Sequence, residues 1–154
     1  MSKILLIDGN SLMFRAYYAT AYTGNLMQNK NGLYTNAIFG FCNMIHKLVN
    51  EDYDKVFVAF DAGKQTFRHK QYSDYKGTRK KMPEELGMQI PLIKEYLQTL
   101  GIKQLELLDY EADDIVGSMA ALASGMGYPV DIISGDKDLL QLVGENITVH
   151  LTKK

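Results

Sequence analysis

The chain has 154 residues, 46% of them apolar and 23% charged, which suits one globular domain with a working core and excludes intrinsic disorder. No apolar run approaches the roughly 20 residues that cross a bilayer. The N-terminus passes directly into an apolar strand without a basic head or cleavage site, so neither membrane insertion nor secretion is expected. Cys42 is the single cysteine. That excludes an internal disulfide and a cysteine-based zinc site, and fits a reducing cytoplasm. Its apolar neighbours make it a small core residue.

Five short β-rich runs recur, at residues 3–7, 56–60, 104–108, 130–134 and 147–151. Several are apolar on consecutive positions, as in strands covered on both faces. Helical patterns lie between them. Ile38, Phe41, Cys42, Ile45, Leu48 and Val49 follow a 3.6-residue period. So do Leu86, Ile90, Ile93, Leu97 and Leu100, with Gly101 as the stop. Pro91 falls inside that pattern and leaves two readings, a kink or a helix that begins near it. Residues 112–124 form a third helix and residues 138–142 a short fourth. Alternation of this kind predicts an α/β fold, a mostly parallel central sheet with helices on both faces.

The acids fall where such a sheet would gather them. Asp8 ends the first strand and Asp61 follows the second; Glu111, Asp113 and Asp114 follow the third, and Asp136 and Asp138 the fourth. Strand ends of a parallel sheet share one edge, the edge at which open α/β sheets bind ligands. Seven carboxylates there would repel one another unless a cation is present, and hard oxygen donors in this number suit Mg²⁺ or Mn²⁺. Taken singly, each has a plainer reading: Asp113 or Asp138 as a helix N-cap, Asp8 as a turn residue before Gly9. The plainer readings weaken when they must account for four strand ends together. A pair of divalent ions can activate water and steady a phosphodiester without a protein nucleophile. No Ser/His/Asp pattern and no phosphate-binding glycine loop stands out, and His46, His69 and His150 are scattered as structural or solvent-exposed residues.

Net charge is −1, but residues 64–81 carry seven cations (Lys64, Arg68, Lys70, Lys76, Arg79, Lys80 and Lys81) against one acid, Asp74. Phe67, Tyr72 and Tyr75 are interleaved with them. Cations neutralise phosphates and aromatic faces stack on the bases of a single strand. A basic segment just after Asp61 would offset the repulsion of DNA by an acidic site. The alternative is a solvated loop. Tyr17 and Tyr18, after Arg15, either border the site or pack in the core.

The motifs resemble the 5′-nuclease domain found at the N-terminus of bacterial DNA polymerase I. Ile7-Asp8-Gly9-Asn10-Ser11 with Arg15-Ala16-Tyr17, then 58–63, Phe67-Arg68, 75–77 with Arg79, 110–114 and 134–139 match it in order and cover essentially the whole chain. The resemblance implies a PIN-like (resolvase-like) nuclease core with a basic helical arch segment. It implies 5′-3′ exonuclease and flap-endonuclease action on DNA with a 5′ flap or 5′ end, in replication and repair. Asp61, Glu111, Asp113 and Asp136 would hold a first ion, with Asp8 helping through water. Asp136 and Asp138 would contribute to a second, with Asp114 supporting. Lys76 and Arg79 would contact the scissile phosphate, Tyr75 would stack on a base, and Arg68 would orient the strand; Arg15, Tyr72, Lys80 and Lys81 are the further DNA-binding residues.

The family's downstream Gly-Asp-x-x-Asp-Asn-Ile-Pro-Gly motif and helix–hairpin–helix do not occur in these 154 residues. The expectation is therefore one monomeric, cytoplasmic domain over residues 1–154, the N-terminal catalytic part of a longer chain. That parent is either a polymerase or a stand-alone nuclease. The competing readings are a PIN-type ribonuclease and a DNA-binding fragment without turnover. A phosphatase needing Asp-x-Asp after the first strand meets Asn10 in the second place, and a phospho-accepting receiver domain leaves the basic segment unexplained.

Overall fold

In a computed structural model the described residues are 3–21, 30, 32, 34–49, 53–61, 84–107, 110–144 and 146–151. The elements are β1 (Ile4–Asp8), α1 (Gly9–Ala21), α2 (Asn36–Val49), β2 (Lys55–Ala59), the single turn α3 (Glu84–Gly87), α4 (Ile90–Thr99), β3 (Lys103–Leu105), α5 (Ala112–Gly125), β4 (Val130–Ser134), a 3-10 helix (Lys137–Leu142) and β5 (Ile147–Leu151). The five strands form one sheet in the order β3-β2-β1-β4-β5, and every pairing is parallel. The expected α/β fold is the observed one. β1 is central: the chain leaves it towards β2 and β3, then returns to its other side for β4 and β5. The β1/β4 boundary is thus where the strand order reverses, the place where doubly wound sheets open a crevice.

Helices lie on both faces because strand side chains alternate. Leu5, Ile7, Val58 and Phe60 pack with α1, α2 and α4 through Leu12, Met13, Phe41, Ile45, Ile93 and Leu97. Leu6, Ala59 and Ile132 point the other way, against Ile115, Val116 and Ala120 of α5 and Leu139 of the 3-10 helix. Among the described residues no helix is long and apolar enough to cross a membrane.

Three local points are decided by the tertiary structure. α1 was not anticipated, although its buried residues (Leu12, Met13, Ala16 and Tyr17) fall at helical spacing on one face. Pro91 starts α4 rather than kinking it, since it occupies the first turn, where its missing N–H costs nothing; Leu86 belongs to the separate turn α3. The third strand is shorter than expected, ending at Leu105. Gly101 ends α4 as expected, with φ +76°, a conformation that glycine adopts freely. Tyr17 is buried in the core and Cys42 is half-buried. The expected helical arch lies outside the described residues.

α2 begins under a buried amide lock. Gln89 Oε1 accepts from the backbone N–H of Ala37 (2.8 Å) and Ile38 (3.0 Å). Its Nε2 donates to Asn36 Oδ1 and to the Glu85 carbonyl, and Asn36 Nδ2 reaches the Tyr17 carbonyl. Gln89 and Asn36 are both fully buried, so losing one partner strands several polar groups. Gln89→Ala is expected to lower unfolding stability by at least about 2 kcal/mol, read from the urea midpoint at unchanged slope; a change below about 0.5 kcal/mol, the scale of an ordinary surface substitution, would show that water takes over these bonds.

Candidate functional site at the carboxyl edge of the sheet

Because all strands are parallel, the loops carrying the seven acids open on one edge. Asp8 is the last residue of β1 and is 6% exposed. Its Oδ1 accepts from the Ser11 N–H (3.2 Å), which turns the chain into α1, and its Oδ2 accepts from the Ser134 hydroxyl at the end of β4 (2.9 Å). Gly9 makes this corner possible. A Cβ there would stand 2.7 Å from the Ala59 carbonyl oxygen, inside contact distance of β2's backbone, so only glycine lets α1 begin so close to β2.

That approach brings Asn10 to Asp61. Asn10 Nδ2 donates to Asp61 Oδ2 (3.2 Å), and the Asp61 N–H donates to Asn10 Oδ1 (2.9 Å). Asp61 Oδ1 accepts from the N–H of Ala112 (2.7 Å), at the start of α5. A carboxylate there gains from the exposed amides and the helix dipole. One acid thus joins the ends of β2, α1 and α5.

Glu111 is buried and is the N-cap residue of α5; its N–H donates to Asp114 Oδ2 (3.2 Å), while Asp113 Oδ1 accepts from the N–H of Asp114 (3.0 Å). Asp136 caps the 3-10 helix by accepting from the Asp138 N–H (2.9 Å), and its own N–H donates to Ser134 Oγ (3.0 Å). The cap positions therefore belong to Glu111 and Asp136, not to Asp113 and Asp138 as their single-residue readings held. Asp113, Asp114 and Asp138 instead line one open groove with Gly117, Ser118, Leu139, Gln141 and Leu142.

The structure brings the seven acids to one edge, where Asp8, Asp61, Asp113, Asp114 and Asp136 each accept from a separate N–H or O–H donor. Among the described residues, no three acidic, histidine or cysteine side chains stand close enough together to hold an ion between them. Like charges repel, and these carboxylates turn to N–H and O–H donors. The donor chemistry still fits a hard divalent cation: every candidate ligand is a carboxylate oxygen. Asp8 is the plainest sign. Burial, set against its bonds from Ser11 and Ser134 and reinforced by Asp61 and Asp136, pushes its carboxyl from the ordinary 3.8 up to about 6. Among the described residues, the charged groups acting on it are two more acids, Asp61 and Asp136.

Arg15 lies on α1 and is half-buried. Arg68, Tyr72, Tyr75, Lys76, Arg79, Lys80 and Lys81 lie outside the described residues. Sequence reasoning passed over Asn10, Ser11 and Ser134. The available signal was small polar residues flanking each strand-end acid, in Asp8-Gly9-Asn10-Ser11 and in Ser134-Gly135-Asp136.

Folding favours the protonated form of Asp8, because its folded value lies above the unfolded one. The stability this confers is whole below about pH 3.8 and is lost as pH rises through about 6, a difference of roughly 3 kcal/mol. Without divalent ions, Asp8→Asn is therefore expected to melt higher than the parent chain at about pH 7.5, with the advantage shrinking to nothing near pH 4. A melting difference that does not change with pH would show that ionised Asp8 carries no such penalty.

Comparison with known proteins agrees with this architecture. Residues 3–154 match the family described as 5′-3′ exonuclease, N-terminal resolvase-like domain. The chain is 48% identical over 154 residues to DNA polymerase I of Geobacillus stearothermophilus, covering 99% of this chain and 17% of that protein. Against DNA polymerase I of Streptococcus pneumoniae the figures are 48% over 153 residues, 99% and 17%. The chain thus spans about a sixth of the length of these relatives. Among solved structures, a bacteriophage T5 flap endonuclease in a pseudo-enzyme–product complex with DNA and metal ions superposes with a TM-score of 0.64 at 21% identity, covering 96% of this chain and 54% of that one, which is a likeness of fold. With the family pattern running the length of the parallel sheet and its acidic edge, the chain belongs to the 5′-3′ exonuclease family, as its N-terminal resolvase-like domain.

Proposed function

We propose that this chain is the catalytic, metal-binding part of a 5′-nuclease that hydrolyses DNA phosphodiesters at a 5′ end or a 5′ single-stranded flap. One observation carries the reading: strand-end acids from β1, β2 and β4 and from the start of α5 meet at one edge, around a buried Asp8 whose charged neighbours among the described residues are acids. The family description and the DNA and metal ions of the T5 complex support it. The PIN-type ribonuclease is the weaker reading, since a compact core has no need of the long basic stretch after Asp61.

Asp61, Glu111, Asp113 and Asp136 would hold one cation, with Asp136 and Asp138 contributing to another and Asp8 and Asp114 completing the negative field. When bound, two Mg²⁺ or Mn²⁺ ions supply an activated water and neutralise charge developing on the phosphate. The chain's own part is to fix the ligands before substrate arrives: Asn10 and the start of α5 hold Asp61, and the backbone of α5 holds Asp114. Lys76 and Arg79 take the scissile phosphate, Tyr72 and Tyr75 stack on bases, and Arg15, Arg68, Lys80 and Lys81 guide the strand electrostatically. We place this activity in the cytoplasm, in a monomer, with these residues as one catalytic part of a longer chain.

Hydrolysis of 5′-labelled flap DNA tests the reading. Cutting near the flap junction is expected with Mg²⁺ or Mn²⁺, none with EDTA, and none in Asp61→Ala. Salt-sensitive binding without any product would instead assign a DNA-binding fragment, and a preference for RNA would assign the ribonuclease. Lys76→Ala is expected to slow cleavage by about tenfold or more, since a charge opposite the reacting phosphate is lost; unchanged turnover would remove that role.

A further inference from the structure

Two serines close a ring between Asp8 and the turn that carries Asp136. Ser11 donates its backbone N–H to Asp8 Oδ1, while its Oγ accepts from the Gly135 N–H at 2.7 Å. Ser134 donates its hydroxyl to Asp8 Oδ2, while the same Oγ accepts from the Asp136 N–H at 3.0 Å. Each serine gives one donor to the Asp8 carboxylate and takes one backbone N–H from residues 135–136. One comes from the start of α1 and the other from the end of β4, so the ring spans the β1/β4 switch point.

The hydroxyl of Ser134 has no freedom of direction. Asp136 N–H can only donate, so the single hydroxyl proton must point to Asp8. Ser134 is fully buried, so no bulk water stands ready to replace either bond. The geometry points to Ser134 as a positioning residue that locks Asp8 and Asp136 into one mutual arrangement, so that the two acids act on a bound divalent cation together. The inference rests on the metal-dependent reading above. Its chemical reason is that partners behind the groups of a metal site orient them, Ser134 fixing the Asp8 carboxylate and the backbone that carries Asp136, and losing such a partner typically weakens metal binding about ten- to a hundredfold.

Mn²⁺ affinity, measured by titration calorimetry on the 154-residue chain, tests the lock without relying on cleavage. Ser134→Ala is expected to weaken Mn²⁺ binding about tenfold or more, with far-UV circular dichroism unchanged. Ser134→Thr, which keeps the hydroxyl, is expected to restore it. Equal affinity in parent and alanine variant would overturn the inference, as would a threonine variant as weak as alanine. A parent chain that binds no Mn²⁺ would overturn the metal reading. The lock is then judged by its geometry alone, through a metal-free cycle of Ser134→Ala and Asp8→Asn in urea unfolding. Residues in one network couple, whereas independent sites add: non-additive changes support the lock, and additive ones overturn it.

Discussion

The constraint on which the rest of this structure depends is that all five strands run the same way. A parallel sheet cannot use tight hairpins; each strand must be followed by a crossover that returns the chain to the far end. Every strand therefore delivers its following loop to one edge. Acids separated by more than a hundred residues, such as Asp8 and Asp136, thereby become neighbours, and their segments meet through Ser134 and Ser11. The reversal of strand order beside β1 opens that edge where β1 and β4 diverge, and Asp8 and Ser134 stand there.

Two buried aspartates differ in what surrounds them. Asp131 and Asp8 are almost equally hidden, at 7% and 6% exposure. Asp131, on β4, accepts from the Tyr53 hydroxyl at 2.6 Å and faces the Lys3 ammonium at 3.3 Å; it has a cation and a strong donor beside it. Among the described residues, Asp8 has hydrogen-bond donors beside it but no cation, and Asp61 and Asp136 add repulsion. A buried carboxylate without a countercharge is expensive.

Precision at the edge comes from close approach rather than from bulk. Gly9 lets α1 start against the backbone of β2. Asn10 then reaches Asp61, and Asp61 in turn meets the first turn of α5. On the same face of the sheet, Gln89 fixes the start of α2 through a buried amide network. Four helix starts, those of α1, α2, α5 and the 3-10 helix, are thereby satisfied by side chains, and three of those side chains are acids or their immediate partners. The capping of secondary structure and the placing of the candidate ligands are carried by the same hydrogen bonds.

Much of this was determined by sequence alone. Runs of consecutive apolar residues marked several of the strands, the 3.6-residue pattern marked α2 and α4, and the recurrence of Asp and Glu just beyond strand ends marked the edge, because strand period and helix period are local properties. The ordered motifs carried the family. Tertiary structure alone decided the rest. In α1 the buried face of Leu12, Met13, Ala16 and Tyr17 is flanked by Phe14 and Tyr18, which also pack against the core, and this blurs the contrast between faces that local reading needs. Glu111 and Asp136 rather than Asp113 and Asp138 take the cap positions, a matter of backbone geometry. Asn10, Ser11 and Ser134 acquire their roles only through partners far along the chain: Ser134 meets Asp8 across 126 residues, and no pattern within a window of sequence contains a hydrogen bond between two strands.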